Sequence, residues 1–343
     1  MSHGGKRCLG HRVGGRNVAE RETTVRGTLL VWIAVGMCAF LLLGCGARAE
    51  TASASEAEGT PAGTAGGAGA AAPEPPERHQ FDGDVSTLEI ETPAGEVLLE
   101  PGDGDDFLLE VTRLQRCDLS DEQHGLAEQV RLVPQLTDSA LSVVAEGPGT
   151  PMVWGELVAF KIIVRTPAAW STDGSAPTSA GPPEARIKTA SASVTVRNTR
   201  CGLKTDTVSG HVLADGHIGR AEINTVDGNV TATRCVWPSG CLKSSGGNLR
   251  VAPATLGDGD VVQLSSSVGS LEVLLPPGAR CTVEGDCTAG QVLTDIPELR
   301  RGIRYSGRSL RATLGDGSGL LILRSTTGKI RIETQTQPEA KDD

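Results

Sequence analysis

The chain has 343 residues, 38% of them hydrophobic but only 3% aromatic, and its 42 acidic against 32 basic residues give a formal charge of −10 at pH 7. That length allows more than one domain. So few rings leave little to stack on sugars or bases, and the acidic balance argues against nucleic acid or an anionic membrane face as a partner.

In chain order, Lys6, Arg7, Arg12, Arg16, Arg21 and Arg26 precede the apolar run TLLVWIAVGMCAFLLLG, which ends in Leu42-Leu43-Gly44-Cys45. A basic head, an apolar middle and a small residue at the cut site describe a secretory signal over residues 1–44. With Cys directly after Leu-Leu-Gly it resembles a bacterial lipoprotein signal. That resemblance implies cleavage before Cys45, acylation at that residue with palmitate-like chains, and a membrane attachment through the N-terminal lipid. The alternative is an uncleaved anchor, because the run approaches the ~18 residues that span a bilayer. Gly46 stands where an Asp would signal inner-membrane retention, which permits an outer-membrane location. Residues 45–79 are rich in Ala, Gly and Pro and carry no apolar period, so they read as a flexible tether. Without residues 1–44 the net charge falls to 14 negative.

Residues 80–170 form a β-rich N-terminal capping module. STLEIETPAGEVLLEP, DFLLEVTRL, EQVRLVPQL, ALSVVAEG and ELVAFKIIVRTP read as strands, with a helical turn near SDEQHGLAEQ. Pro, Gly and Ser make 171–184 an exposed loop. Residues 185–336 are the repeat domain, and 337–343 a disordered tail.

The repeat is a phrase such as TDTVSGHVLA or NTVDGNVTA. Its copies centre on Gly95, Ala192, Gly210, Gly228, Gly247, Gly269, Gly290 and Gly328, mostly 18 to 22 residues apart. Three residues earlier stand Thr92, Thr189, Thr207, Thr225, Ser244, Ser266, Cys287 and Ser325; two residues later every copy is aliphatic, as in Val212 and Val230. Apolar residues two apart on either side of a glycine mean strand, corner, strand, with the parity change absorbed where glycine tolerates positive φ. Like residues at fixed offsets favour an all-β, parallel β-helix-like solenoid that stacks Thr on Thr and Val on Val. The alternative is an antiparallel β-sandwich of stacked hairpins, for which Asp227-Gly228 is a suitable turn.

The first strand-glycine-strand, the tandem TVSGHV and TVDGNV phrases and the closing GLLILRSTTGKIRIE together resemble the bacterial putative-adhesin domain family of unknown function, over about residues 80–336. The resemblance implies a non-catalytic, lipid-anchored β-solenoid of the cell envelope with adhesin-like surface binding to an envelope protein or a glycan. It carries over no catalytic residue and no cofactor. An accessory subunit of an envelope complex and a carbohydrate-active β-helix enzyme are the alternatives. Acids at matching offsets in adjacent coils would favour the enzyme, but Asp206, Asp215, Glu222 and Asp227 sit at different offsets.

Six cysteines follow Cys45: Cys117, Cys201, Cys235, Cys241, Cys281 and Cys287. An even number in an exported chain suggests disulfides, with Cys235 to Cys241, Cys281 to Cys287 and Cys117 to Cys201 as the expected pairs. Zinc is disfavoured by the spacing. The Asp-Gly clusters at 102–106, 257–260 and 315–317 read as turns before calcium loops. His211 and His217 read as surface histidines, and Lys188 should neighbour Asp206 across stacked coils.

Overall fold

The computed structural model describes residues 75–82, 85–115, 119–172 and 182–335. The signal, Cys45, most of the tether, Cys117 and the tail lie outside them. The described chain opens with β1 (Glu77–Phe81), β2 (Thr87–Pro101), β3 (Phe107–Gln115), α1 (Asp121–Gln129), β4 (Arg131–Thr137), β5 (Ala140–Glu146), α2 (Pro151–Leu157) and β6 (Val158–Thr166). The repeats follow as β7 (Glu184–Arg197), then β8 (Gly202–Thr207) with β9 (Val212–Asp215), β10 (Ala221–Thr225) with β11 (Val230–Cys235), and β12 (Ser239–Ser244) with β13 (Leu249–Pro253). Next come β14 (Val261–Ser266) with β15 (Leu271–Leu275) and β16 (Cys281–Cys287) with β17 (Val292–Thr294). A short helix α3 (Pro297–Arg300), the hairpin β18 (Ile303–Arg304) and β19 (Ser309–Thr313), and β20 (Gly319–Ser325) with β21 (Ile330–Thr334) close the chain.

The architecture is a β-solenoid. The two arms of one phrase pair with the same arms of neighbouring phrases, always in parallel: β8 with β7 and β10, β9 with β7 and β11. Thr207 aligns with Thr189 and Thr225, and Val212 with Val194 and Val230. Arms that pair outward in this way leave no room for the sandwich of hairpins. Inward residues alternate with outward ones on each arm, so that Leu203, Thr205, Thr207, Val212 and Ala214 are buried in a thin core shared by the two stacks.

Stacking does not follow chain order at either end. β2 lies between β7 and a coil made of β5 and β6, so the first phrase is second in the stack. β20 lies between β14 and β16, and β21 between β15 and β17, so the last phrase is also second from its end. Antiparallel strands then cover the outer coils: β4 on β5, β3 on β6 with β1 on β3, and β19 on β16 with β18 on β19. These caps occupy edges that would otherwise template pairing with another chain.

The pairing of Cys281 with Cys287 is corrected, and that of Cys117 with Cys201 lies partly outside the described residues. Cys281 and Cys287 open and close one extended strand, so about 20 Å of backbone separates them, far beyond disulfide reach. All five described cysteines, including Cys201, Cys235 and Cys241, are free thiols.

Candidate binding ridge

Most coils turn from the first arm to the second through a Thr-x-x-Gly or Ser-x-x-Gly corner, with Ala192 in place of the glycine in one and Cys287 in place of the hydroxyl residue in another. The backbone N–H of Ala192, Gly210, Gly247 and Gly328 donates to the hydroxyl three residues earlier, on Thr189, Thr207, Ser244 and Ser325, at 2.8–3.0 Å. Hydroxyls of Ser244, Ser266 and Ser325 donate onward to the carbonyls of Gly228, Gly247 and Gly269 in the adjacent coil. Cys287 fills the same column, its thiol donating to the Gly328 carbonyl at 2.9 Å.

The corner glycines serve close approach rather than unusual φ, which corrects the expectation drawn from parity. A Cβ on Gly210, Gly228, Gly247, Gly269, Gly290 or Gly328 would fall 1.7–2.2 Å from the carbonyl oxygen of the corner in the next coil. Of the corner glycines only Gly95 has positive φ, +118°, and there too a Cβ would strike backbone, that of Phe160. Left-handed backbone appears instead six residues on, where Asn198, Gly216 and Arg234 have φ of 47°, 67° and 55°.

Between the capping hydroxyl and the glycine, two residues per coil project to solvent. Stacking brings these pairs into one ridge: Val208 and Ser209, Val226 and Asp227, Ser245 and Gly246, Ser267 and Val268, then Thr326 and Thr327. Val208 and Val226 are 40% exposed and Val268 60%, against 0–3% for the aliphatic residues two after each corner glycine. Asp227 is the one charge among those ten residues. The ridge is therefore a straight, nearly uncharged line of methyl and hydroxyl groups repeating about every 4.8 Å. Beside it runs a polar ladder in which Asn229, Asn248 and Ser270 donate backbone N–H groups to the side chains of His211, Asn229 and Asn248. His211 is exposed, as expected from sequence.

The outward positions of the arms are occupied differently. Arg186 pairs with Glu89 and Glu184, Lys204 with Glu222, and Arg250 with Glu272. Lys188 does stand beside Asp206, but Asp206 Oδ1 accepts from Asn224 at 2.8 Å. Hydrogen bonds from Arg234 hold the Asp215 carboxyl below its ordinary range, against partial burial. Burial pushes Glu222 up, yet the bond and charge of Lys204 outweigh it and the net shift is downward. Asp215 and Glu222 are thus ionised partners of cations in adjacent coils.

A third, short side of the coils carries what the sequence reading missed. Isolated bridges join Arg200 to Ile218 and Ile218 to Val236. Inside them His217 is fully buried, not a surface residue. Trp237 Nε1 donates to His217 Nδ1 at 3.0 Å, which assigns the ring proton to Nε2, 3.8 Å from Cys201 Sγ. Burial lowers the His217 pKa to about 4 and raises the thiols of Cys201 to about 12 and Cys235 to about 11. A neutral imidazole beside protonated thiols is inert packing. The signal for it was present: Thr199, His217 and Cys235 each stand seven residues after a corner.

Two Asp-Gly turns meet at Arg280, which binds Asp258 at 2.6 Å and Asp316 at 3.6 Å. A guanidinium thus occupies the place a cation would take. Among the described residues no three His, Cys, Asp or Glu side chains converge as a metal-ligand set. Cys241 faces outward, half-buried, between Glu222 and Gln263.

No family model matches the chain, and no curated protein matches it. Solved structures overlap it distantly. A putative cell adhesion protein from Clostridium sporogenes covers 76% of this chain with 100% of its own, at 9% identity and a TM-score of 0.33. A putative lipid binding protein from Parabacteroides distasonis covers 77% with 98%, at 12% identity and a TM-score of 0.38. A putative adhesin from Parabacteroides merdae covers 77% with 97%, at 10% identity and a TM-score of 0.32.

Proposed function

We propose that this chain is a non-catalytic β-solenoid of the cell envelope, held to the membrane by a lipid on Cys45, which binds an extended partner along the corner ridge. The observation that carries the proposal is the contrast between surfaces. The arms spend their charges on one another, while the ridge leaves Val208, Val226 and Val268 in solvent with hydroxyls between them. Contiguous apolar exposure on a monomer marks an interaction site more often than scattered exposure does. A regular line of small groups suits a partner that is itself regular, such as a glycan strand or an extended peptide.

The double substitution Val208→Lys with Val226→Lys tests it. Both side chains already point outward, so the domain should keep its circular dichroism spectrum and melting temperature. Attachment of purified protein to envelope glycan or to cells should drop at least about tenfold, the loss expected when two central contacts are removed and charge is added. Attachment unchanged in a folded double variant would refute the ridge. Metabolic palmitate labelling of Cys45, lost in Cys45→Ser, tests the anchor separately.

A further inference from the structure

We infer that the cap at the C-terminal end of the stack is a docking surface for anionic phospholipid headgroups. Residues 293–313 hold Arg300, Arg301, Arg304, Arg308 and Arg311, five cations against Asp295 and Glu298 in the same segment and Glu284 and Asp286 on the paired β16, in a chain whose net charge is −10. The fold gathers these arginines. α3 packs on β17 and β19, β18 pairs with β19 so that Arg304 lies opposite Ser309, and the Arg311 backbone bonds to Gly302. Arg304 Nη1 donates to the Arg301 carbonyl at 2.7 Å and Arg300 Nη2 to the Thr294 carbonyl at 3.3 Å, contacts that orient the guanidinium groups without neutralising them. Of the five, only Arg311 forms an ion pair among the described residues, with Glu284 at 3.2 Å.

A second observation points to a bilayer rather than a soluble polyanion. Tyr305, Ser306 and Gly307 have φ of 53°, 56° and 87°, a left-handed tip between β18 and β19 that two of its residues adopt at a cost in strain. That tip, between Arg304 and Arg308 in the chain, holds Tyr305 81% exposed. An exposed tyrosine suited to headgroup depth and arginines able to reach phosphate make an interfacial set. The overall acidity does not forbid this contact, because charges farther than about 10 Å are screened at ordinary ionic strength. It instead turns the basic end toward the membrane and the acidic remainder away. The inference rests on the proposed envelope location only for proximity.

The test uses residues 45–343 with Cys45→Ser, so that no anchor contributes. Among the described residues every strand pairing and the buried core lie within Glu77–Thr334, all of it contained in this piece. The protein should sediment with phosphatidylglycerol–phosphatidylcholine vesicles at about 0.05 M salt and be released at about 0.5 M. Replacing Arg300, Arg301, Arg304 and Arg308 together by Ser should lower partitioning at least about tenfold. Tyr305→Ser should lower it several-fold while leaving the salt dependence unchanged. Equal sedimentation with pure phosphatidylcholine, or none at low salt, would overturn the inference. So would binding of soluble polyphosphate with vesicles ignored, which would make the cap a polyanion site.

Discussion

At four corners the side chain three residues before the glycine ties two coils together, and Cys287 performs that task with a thiol where Ser244, Ser266 and Ser325 use a hydroxyl. The column of hydroxyl residues was legible in the sequence; that Cys287 belongs to it rather than to a disulfide was hidden, because equal cysteine spacing reads the same for both. His217 was misread for a different reason. The third side of the coil is too short to show alternation, so nothing local separates a buried residue there from a loop residue. Its burial makes a measurable prediction. The folded imidazole is held to about 4, below its ordinary 6.5. Between those values the unfolded chain takes up a proton that the folded chain refuses. Stability is therefore whole above about pH 6.5 and falls as pH drops toward about 4, by at most about 3 kcal/mol. Urea unfolding at about pH 7.5 and about pH 4.5 should show this loss, and His217→Asn should reduce it. An identical loss in the variant would show that other groups are responsible.

For the element, the two corners of a coil solve different problems. At the first, backbones of neighbouring coils touch, and at the second the chain turns through left-handed residues. Sequence parity located the first corner and its inward Thr, Val and Leu positions correctly. It assigned the wrong cause to the glycine, since a pattern of residue types reports that a side chain is absent but not what would have met it. Gly228→Ala isolates that cause. Gly228 has no positive φ to relieve, but the new Cβ would sit 2.0 Å from the Gly210 carbonyl oxygen. The coils must part, at a cost of about 2 kcal/mol or more. Were the glycine needed only for a flexible bend, thermal unfolding of this variant would shift little.

Across the whole molecule, the solenoid itself was readable from like residues at fixed offsets, while the order of its coils was not. Every phrase carries the same register marks, so the sequence contains no label that distinguishes the last berth in the stack from the one before it. Only the structure shows β20 and β21 inserted between neighbours made earlier in the chain. Deleting residues 319–343 should therefore do more than shorten the stack. It removes the partner of β14 and β15 and separates them from β16 and β17, exposing four strand edges at once. Size-exclusion chromatography should show aggregation in place of a smaller monomer. A well-behaved monomer with a proportionately lower melting enthalpy would argue that the terminal coil docks elsewhere.

The inserted last phrase also bears on how the molecule is made. A chain that emerges N-terminus first can stack β7 through β15 as each arm appears. β16 and β17 then arrive about 38 residues ahead of the surface they rest on, and they must wait with the hairpin β18–β19 as a looped-out segment. β20 and β21 act as a keystone: until they are present, β16 and β17 have no parallel neighbour to rest on. A chain stopped short of β20 and β21 therefore leaves β16 and β17 without the coil that joins them to the stack.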